Sequence, residues 1–141
     1  MGDRRERRRA FAPGSLAVLA PVLLATAAAA WASLRFRRFS VAGNSMLPTL
    51  AEGDWVLVDE RAYRGRLPRR GHIVIADDPR PPGRQLVKRV EVIDLHRQVM
   101  LAGDNPEEST DSRHFGPVRS QALRGRVRWR YWPPARFGPV R

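Results

Sequence analysis

Lys88 is the single lysine of a 141-residue chain with 26 basic residues, so the other 25 are arginines. It lies in the apolar run 86–90, and a strand here would place Leu86, Lys88 and Val90 on one face. A lysine among aliphatic side chains can lose its proton and act as a base, whereas an arginine stays protonated. The alternative is a lysine whose stem covers apolar surface while its amine reaches water.

Two further segments contain groups on which such a base could act. The Ser45 segment, residues 43–50, reads Gly-Asn-Ser-Met-Leu-Pro-Thr-Leu, a composition that favours an exposed bend but also suits an ordinary turn. The Ser109 segment, residues 103–113, is polar and would by itself suit a loop. Lys88 lies between them, and three such segments in this order are unlikely to occur by chance.

These segments resemble the signature boxes of the signal peptidase I family, membrane-bound serine proteases that use a Ser/Lys dyad. The resemblance covers nearly all of the chain beyond its hydrophobic segment. It implies that Ser45 is the nucleophile, that neutral Lys88 is its general base and that Ser109 orients the lysine amine. It also implies a structural salt bridge between Asp111 and Arg113.

The oxyanion hole is less complete in the sequence. The Ser45 N–H is the expected first donor to the developing negative charge. Some members of the family add a serine hydroxyl two residues earlier, where this chain has Gly43. Asn44 is therefore a candidate second donor. Asp104 and Asn105 are expected to shape the turn of the Ser109 segment.

The resemblance implies that the substrates are leader peptides with small residues at the first and third positions before the cut. The expected partners are precursor proteins and the lipid bilayer, and no cofactor is expected. The tail, residues 125–133, is similar to the mitochondrial inner membrane peptidase branch. The short, arginine-rich chain is also similar to bacterial proteases that mature nickel superoxide dismutase. A general leader peptidase and a dedicated maturation protease are both consistent with these features.

The composition limits the other classes of function. The chain has no cysteine, which excludes disulfides and thiol chemistry. His72, His96 and His114 lie far apart without metal-ligand spacing, so we predict no metal site.

The formal charge of +12 suits an acidic membrane surface but also permits nucleic acid. Residues 126–132 alternate, with arginines on one face that could meet anionic lipid headgroups or simply be solvated. A non-enzymatic basic module that binds membrane or nucleic acid is therefore an alternative. Nothing before residue 35 resembles a helix-turn-helix, so we expect no nucleic-acid partner.

An uncharged segment, residues 10–34, follows a basic tail at residues 1–9. It is long enough to cross a bilayer, which takes about 20 apolar residues. Five arginines precede it and three follow closely, so we predict a single-pass anchor with the N-terminus in the cytoplasm. The catalytic domain, residues 35–141, would then lie on the outer side of the cell membrane. The alternative is a cleavable signal peptide, because Ala30-Trp31-Ala32 fits a cleavage pattern.

Beyond residue 34, short runs of β-branched and aromatic residues are separated by turn formers. The predicted strands are residues 39–42, 55–59, 72–76, 85–94, 98–102 and 125–132. Arg80-Pro81-Pro82-Gly83 must be a connection, because proline cannot donate within a sheet. Strands without long helices between them predict a mostly β fold, a coiled antiparallel sheet or partial barrel. The sequence does not predict an oligomeric state.

Overall fold

The computed structural model describes residues 13–141, with side chains from residue 19, and the chain divides into the units Met1–Leu34 and Arg35–Arg141. Helix α1 (Pro13–Arg35) contains Pro21. Among the described residues, no helix is long and apolar enough to cross a membrane, so the predicted anchor is not confirmed. The predicted basic tail and the start of the predicted anchor lie outside the described residues.

Residues 35–141 form one curled antiparallel sheet of eight strands, which confirms the predicted mostly β fold. The strands are β1 (Phe36–Ser40), β2 (Trp55–Asp59), β3 (Ile73–Asp77), β4 (Gln85–Ile93), β5 (Gln98–Ala102), β6 (Val118–Arg119), β7 (Leu123–Trp132) and β8 (Gly138–Pro139). Their order in the sheet is β1-β2-β7-β3-β4-β5-β6, and β8 pairs with β7. A short helix, α2 (Ser112–Phe115), follows β5.

Two differences from the predicted strands concern the edges of the sheet. Strand β1 begins at Phe36 rather than at residue 39. Its two phenylalanines are half-buried while Arg37 and Arg38 face solvent, so arginines expected to flank a membrane segment belong to the sheet. Strands β6 and β8, two residues each, were not predicted.

The sheet has an apolar cluster on each face, and the central strand β3 contributes to both. On the first face Ile73 and Ile75 pack with valines of β2 and β7, and on the second face Val74 and Ala76 pack with residues of β4 and β5. Burying each large aliphatic side chain stabilises the fold by about 1.5–3 kcal/mol. Lys88 lies directly opposite Val74 in the β3–β4 register, so its side chain leaves the sheet on the second face.

Candidate functional site

The amine of Lys88 is buried within a chain of hydrogen bonds. The lysine is 2 % exposed, and its Nζ donates to Ser109 Oγ at 3.0 Å. The Ser109 hydroxyl in turn donates to Asp111 Oδ2 at 2.7 Å. Because a carboxylate can only accept, the Ser109 proton points to Asp111 and its oxygen faces the amine. The lone pair of a neutral Lys88 is then left for another partner.

The pKa of Lys88 lies below its ordinary value. Burial is the largest cause, because the charged amine loses more solvation than the neutral one. The negative charge of Asp111 opposes this effect, and the guanidinium groups of Arg84, Arg113 and Arg80 add to the lowering. The amine is therefore closer to the neutral form that a general base needs than an exposed lysine would be.

Asp111 is fully buried and accepts hydrogen bonds from the Arg113 guanidinium, the backbone N–H groups of Arg113 and Gly103, and the Ser109 hydroxyl. Arg113 donates to both carboxylate oxygens at 2.9 and 2.8 Å, and the Gly103 N–H donates at 3.0 Å. Burial raises the pKa of Asp111, but the hydrogen bonds from Arg113, Gly103 and Ser109 together have the larger effect. The pKa of Asp111 therefore lies below its usual range. Asp111 therefore remains ionised and fixes the direction of the Ser109 hydroxyl.

Ser45 lies in the turn after β1 and lines the same cleft as Lys88. The volume of this cleft is about 210 Å³. Gly43 and Asn44 also line this cleft. Gly43 has a φ of +77°, a left-handed conformation that glycine adopts without strain. Among the described residues, no hydrogen bond joins the Ser45 hydroxyl to the Lys88 amine, and none uses the Ser45 N–H.

The Ser109 segment is joined directly to the Ser45 segment. The Asn105 N–H donates to the Ser45 carbonyl at 3.0 Å, and Asn105 Nδ2 donates to the Asn44 carbonyl at 3.3 Å. Gly103 passes between the two serines so closely that a Cβ there would overlap the Ser109 hydroxyl and lie 2.5 Å from the Ser45 carbonyl oxygen. The structure therefore brings Ser45, Lys88 and Ser109 to one place.

An ion pair that the sequence analysis missed connects all three segments. Arg89, next to Lys88, donates from Nε and Nη2 to the Asp104 carboxylate at 2.7 and 2.6 Å. Thr49 of the Ser45 segment donates to the same carboxylate at 2.6 Å. Asp104 was expected to shape a turn, and it also binds Arg89. The sequence offered one signal for this ion pair: Arg89 directly follows Lys88, and the oppositely charged Asp104 directly follows Gly103.

Arg80, in the predicted connection between β3 and β4, and Arg84, which follows that connection, also line the cleft. Arg80 donates from Nε and Nη2 to Asp78 at 2.9 and 2.8 Å, and Arg84 Nε lies 3.7 Å from the same carboxylate. No sequence pattern indicated that these residues would lie near Lys88. Within the described residues, no cluster of His, Cys, Asp and Glu could hold a metal ion.

The buried amine of Lys88, with its lowered pKa, is hydrogen-bonded to one hydroxyl and lines the same cleft as a second. A base of this kind can activate a serine nucleophile in a hydrolase. Comparison with known proteins agrees with this class. The sequence profile described as "Signal peptidase, peptidase S26" matches residues 15–93 and 95–132. The chain therefore belongs to the signal peptidase family and is a peptidase, which confirms the predicted resemblance.

Individual relatives support the same assignment. The chain is 35% identical over 123 residues to the "Mitochondrial ATP-independent inner membrane protease subunit 1a" of Arabidopsis thaliana, covering 72% of this chain and 73% of that protein. It is 34% identical over 118 residues to the "Mitochondrial inner membrane protease subunit 1" of Xenopus tropicalis, covering 70% and 71% of the two chains. A "Probable thylakoidal processing peptidase 2, chloroplastic" of Arabidopsis thaliana is 27% identical over 144 residues, covering 72% of this chain and 39% of that protein. The alternative of a non-enzymatic basic module is therefore not supported.

Proposed function

We propose that this protein is a membrane-anchored serine endopeptidase that removes N-terminal leader or pro-peptides after small residues. The observation that carries the proposal is the buried Lys88 amine, hydrogen-bonded to Ser109 at 3.0 Å in a cleft that Ser45 also lines. Burial and neighbouring arginines lower the pKa of this amine, which favours the neutral base.

In the proposed mechanism the Ser45 oxygen attacks the scissile carbonyl carbon while Lys88 takes the hydroxyl proton. The tetrahedral intermediate collapses to an acyl-enzyme, and Lys88 gives the proton to the leaving amine. Lys88 then deprotonates a water molecule that attacks the ester, and it returns this proton to the Ser45 oxygen as the acid product leaves. The Ser45 hydroxyl and the Lys88 amine line one cleft, and a hydrogen bond between a nucleophile and its base often tightens only when substrate binds.

For the oxyanion we propose the Ser45 N–H as the first donor. Its lack of another acceptor among the described residues supports this role. Gly43 supplies no hydroxyl, so we propose Asn44, which lines the cleft, as the second donor. Each donor of this type contributes about 2.7–4 kcal/mol to stabilising the transition state.

We propose that the enzyme works at a membrane, with its N-terminus in the cytoplasm and the sheet domain on the outer side. The names of its relatives as inner membrane proteases support the membrane association. The proposed tether is the whole uncharged segment, residues 10–34, which begins before the described residues. A topology reporter fused after Arg141 checks this arrangement, and a signal from the cytoplasmic side would contradict it.

A leader-peptide cleavage assay tests the proposed function. The cleft is small, about 210 Å³, and Val41, Met46 and Leu86 are among its apolar lining residues, so only small side chains should fit beside Ser45. A peptide with alanine at the first and third positions before the cut should be cleaved between the expected residues. Phenylalanine at the first position should lower kcat/KM by at least about 10²-fold.

The matched control peptide has phenylalanine at the second position before the cut. Side chains of an extended peptide alternate in direction, so this residue should point out of the cleft and change kcat/KM less than about threefold. Absence of cleavage by the wild-type protein, or equal cleavage of all peptides, would contradict the proposal. Mass spectrometry of the products identifies the cut.

A change in the pH profile tests the role of Lys88 as the base. Arg84 lowers the pKa of Lys88 by charge repulsion, so Arg84→Gln should raise that pKa and reduce the neutral fraction at a given pH. The acidic limb of the kcat/KM profile should move to higher pH. Because the Arg84 side chain is 63% exposed, the difference between variant and wild type should shrink in high salt.

Arg119→Gln is the matched control, since this exposed arginine of β6 does not line the cleft. It removes the same charge and should leave the profile in place. An acidic limb that stays at its wild-type pH in Arg84→Gln at low salt would count against Lys88 as the titrating base.

A further inference from the structure

A second cavity, of about 420 Å³, lies between strand β7 and the connection that joins β2 to β3. Four of its lining residues are arginines, Arg66 and Arg69 from the connection and Arg126 and Arg128 from β7. Tyr63 and His72 also contribute to its wall, and no carboxylate lines it. The cavity therefore concentrates positive charge that comes from two separate parts of the chain.

Most of this charge has no counter-ion in the described part of the chain. Arg128 lies 3.5 Å from Asp59, but that buried carboxylate is already bound by Arg35 at 2.8 Å. Arg66, Arg69 and Arg126 have no carboxylate within ion-pair distance among the described residues.

Two other arginines of β7, unlike Arg126, have carboxylate partners. Arg124 donates to Asp77 at 2.8 and 2.9 Å, and Arg130 lies 3.4 Å from Asp54. Arg126, which lies between them along the strand, has a buried Nε without a hydrogen-bond acceptor. A buried N–H of a guanidinium without an acceptor is unfavourable, so an acceptor that reached Arg126 Nε would stabilise it.

The arginines of the cavity also act on His72, which lines it. Burial, followed by the charges of Arg126, Arg128 and Arg69, lowers its pKa to about 4. The ring is therefore neutral at pH 7. Its Nδ1 lies 3.3 Å from the Arg69 N–H, which can only donate, so Nδ1 is the acceptor and the ring proton is on Nε2. The charges of Arg126, Arg128 and Arg69, which oppose a positive charge on His72, would attract an anion in the cavity.

We propose that this cavity is a binding site for a phosphate group, carried either by a small phosphate compound or by the headgroup of an acidic phospholipid. Guanidinium groups match a phosphate especially well, because their parallel N–H donors bind pairs of its oxygens. Arg66 and Arg69 would bind from one side, and Arg126 and Arg128 from the other. The site does not depend on Ser45 or Lys88, neither of which lines it.

Titration of inorganic phosphate into the purified full-length chain, followed by calorimetry, tests the site. The double variant Arg66→Gln/Arg69→Gln removes two cavity arginines and should weaken phosphate binding at least about tenfold. The matched variant Arg64→Gln/Arg70→Gln removes the same charge from exposed positions outside the cavity. It should bind within about twofold of wild type, because general attraction by the charge of +12 would be reduced equally in both variants.

Vesicles distinguish the two sources of phosphate. If the ligand is a lipid headgroup, binding to phosphatidylglycerol vesicles should fall in the cavity variant only, and inorganic phosphate should compete with it. If vesicle binding is unchanged while phosphate binding is lost, the ligand is a small phosphate compound. Equal losses in both variants, or no phosphate binding by wild type, would overturn the site. Ser45→Ala should bind phosphate normally, which separates this result from the proposed peptidase mechanism.

Discussion

Ser45→Ala and Lys88→Arg should each lower kcat/KM for leader-peptide cleavage by at least about 10³-fold, and the double variant should lose little more than either one. Two groups that perform one step together are not additive, because the step fails once either is removed. Arginine keeps the positive charge of Lys88 but does not give up its proton at any pH at which the protein is folded. The substitution therefore separates the proton-accepting role of Lys88 from its charge.

Lys88→Met checks that these losses do not come from unfolding. Methionine has a similar length and no charge, so it removes the desolvated amine from a site that is only 2 % exposed. The variant should be folded and at least as resistant to thermal denaturation as wild type, yet inactive. Ser40→Ala removes an exposed hydroxyl of β1 outside the cleft and should retain full activity. Additive losses in the double variant, or substantial cleavage by Lys88→Arg, would remove the dyad from the mechanism.

The sheet could be predicted where the hydrophobic pattern is long. Strand β4 extends over nine residues, and β3 is a continuous apolar run because it is covered on both faces. Strands β6 and β8 have two residues each, too few for any period to be recognised. Their pairing depends on tertiary contacts that bring them to β5 and β7.

The candidate site was predicted as residue types in a fixed order, with the pairs Lys88–Ser109 and Asp111–Arg113 implied by the family resemblance, but without the hydrogen bonds that join these pairs. The alternation around Lys88 correctly indicated that its side chain shares a face with Val90, and both lie on the face of Val74. The hydrogen bonds of Asp111 to Ser109 and Gly103 could not be predicted, because they depend on how the Ser109 segment folds back. The position of Arg84 in the cleft could not be predicted either, because Arg84 lies beside a connection that appeared to have only a structural role.

Gly103→Ala should lower kcat/KM by about 10²-fold while the protein remains folded. An alanine Cβ would lie 2.5 Å from the Ser45 carbonyl oxygen, whereas ordinary contacts begin at 3.4 Å, so one of the two segments must move by about 1 Å. It would also overlap the hydroxyl of Ser109, which donates to Asp111 and accepts from Lys88. A displacement of this size between reacting groups can reduce a rate about 10²-fold.

Alanine substitutions at two other glycines distinguish a displaced active site from a lower stability of the fold. A Cβ at Gly125 would lie 2.6 Å from Val58 Cγ1 and 2.8 Å from the Asp59 carbonyl oxygen, away from the cleft, while a Cβ at Gly138 would meet nothing within 4 Å. Gly125→Ala should therefore lower the free energy of unfolding by about 1–3 kcal/mol without a matching loss of kcat/KM per folded molecule. Gly138→Ala should be close to neutral in both.

Only Gly103→Ala should combine a large loss of activity with a weaker hydrogen bond from the Lys88 amine to Ser109. The weaker bond would be visible as a changed acidic limb in the kcat/KM profile. Overpacking costs stability wherever it occurs, but it affects the chemistry only where the crowded atoms hold the reacting groups. If Gly103→Ala and Gly125→Ala lost activity in proportion to their unfolded fractions, Gly103 would serve folding alone. The contact between the two serine segments would then have no part in positioning Lys88.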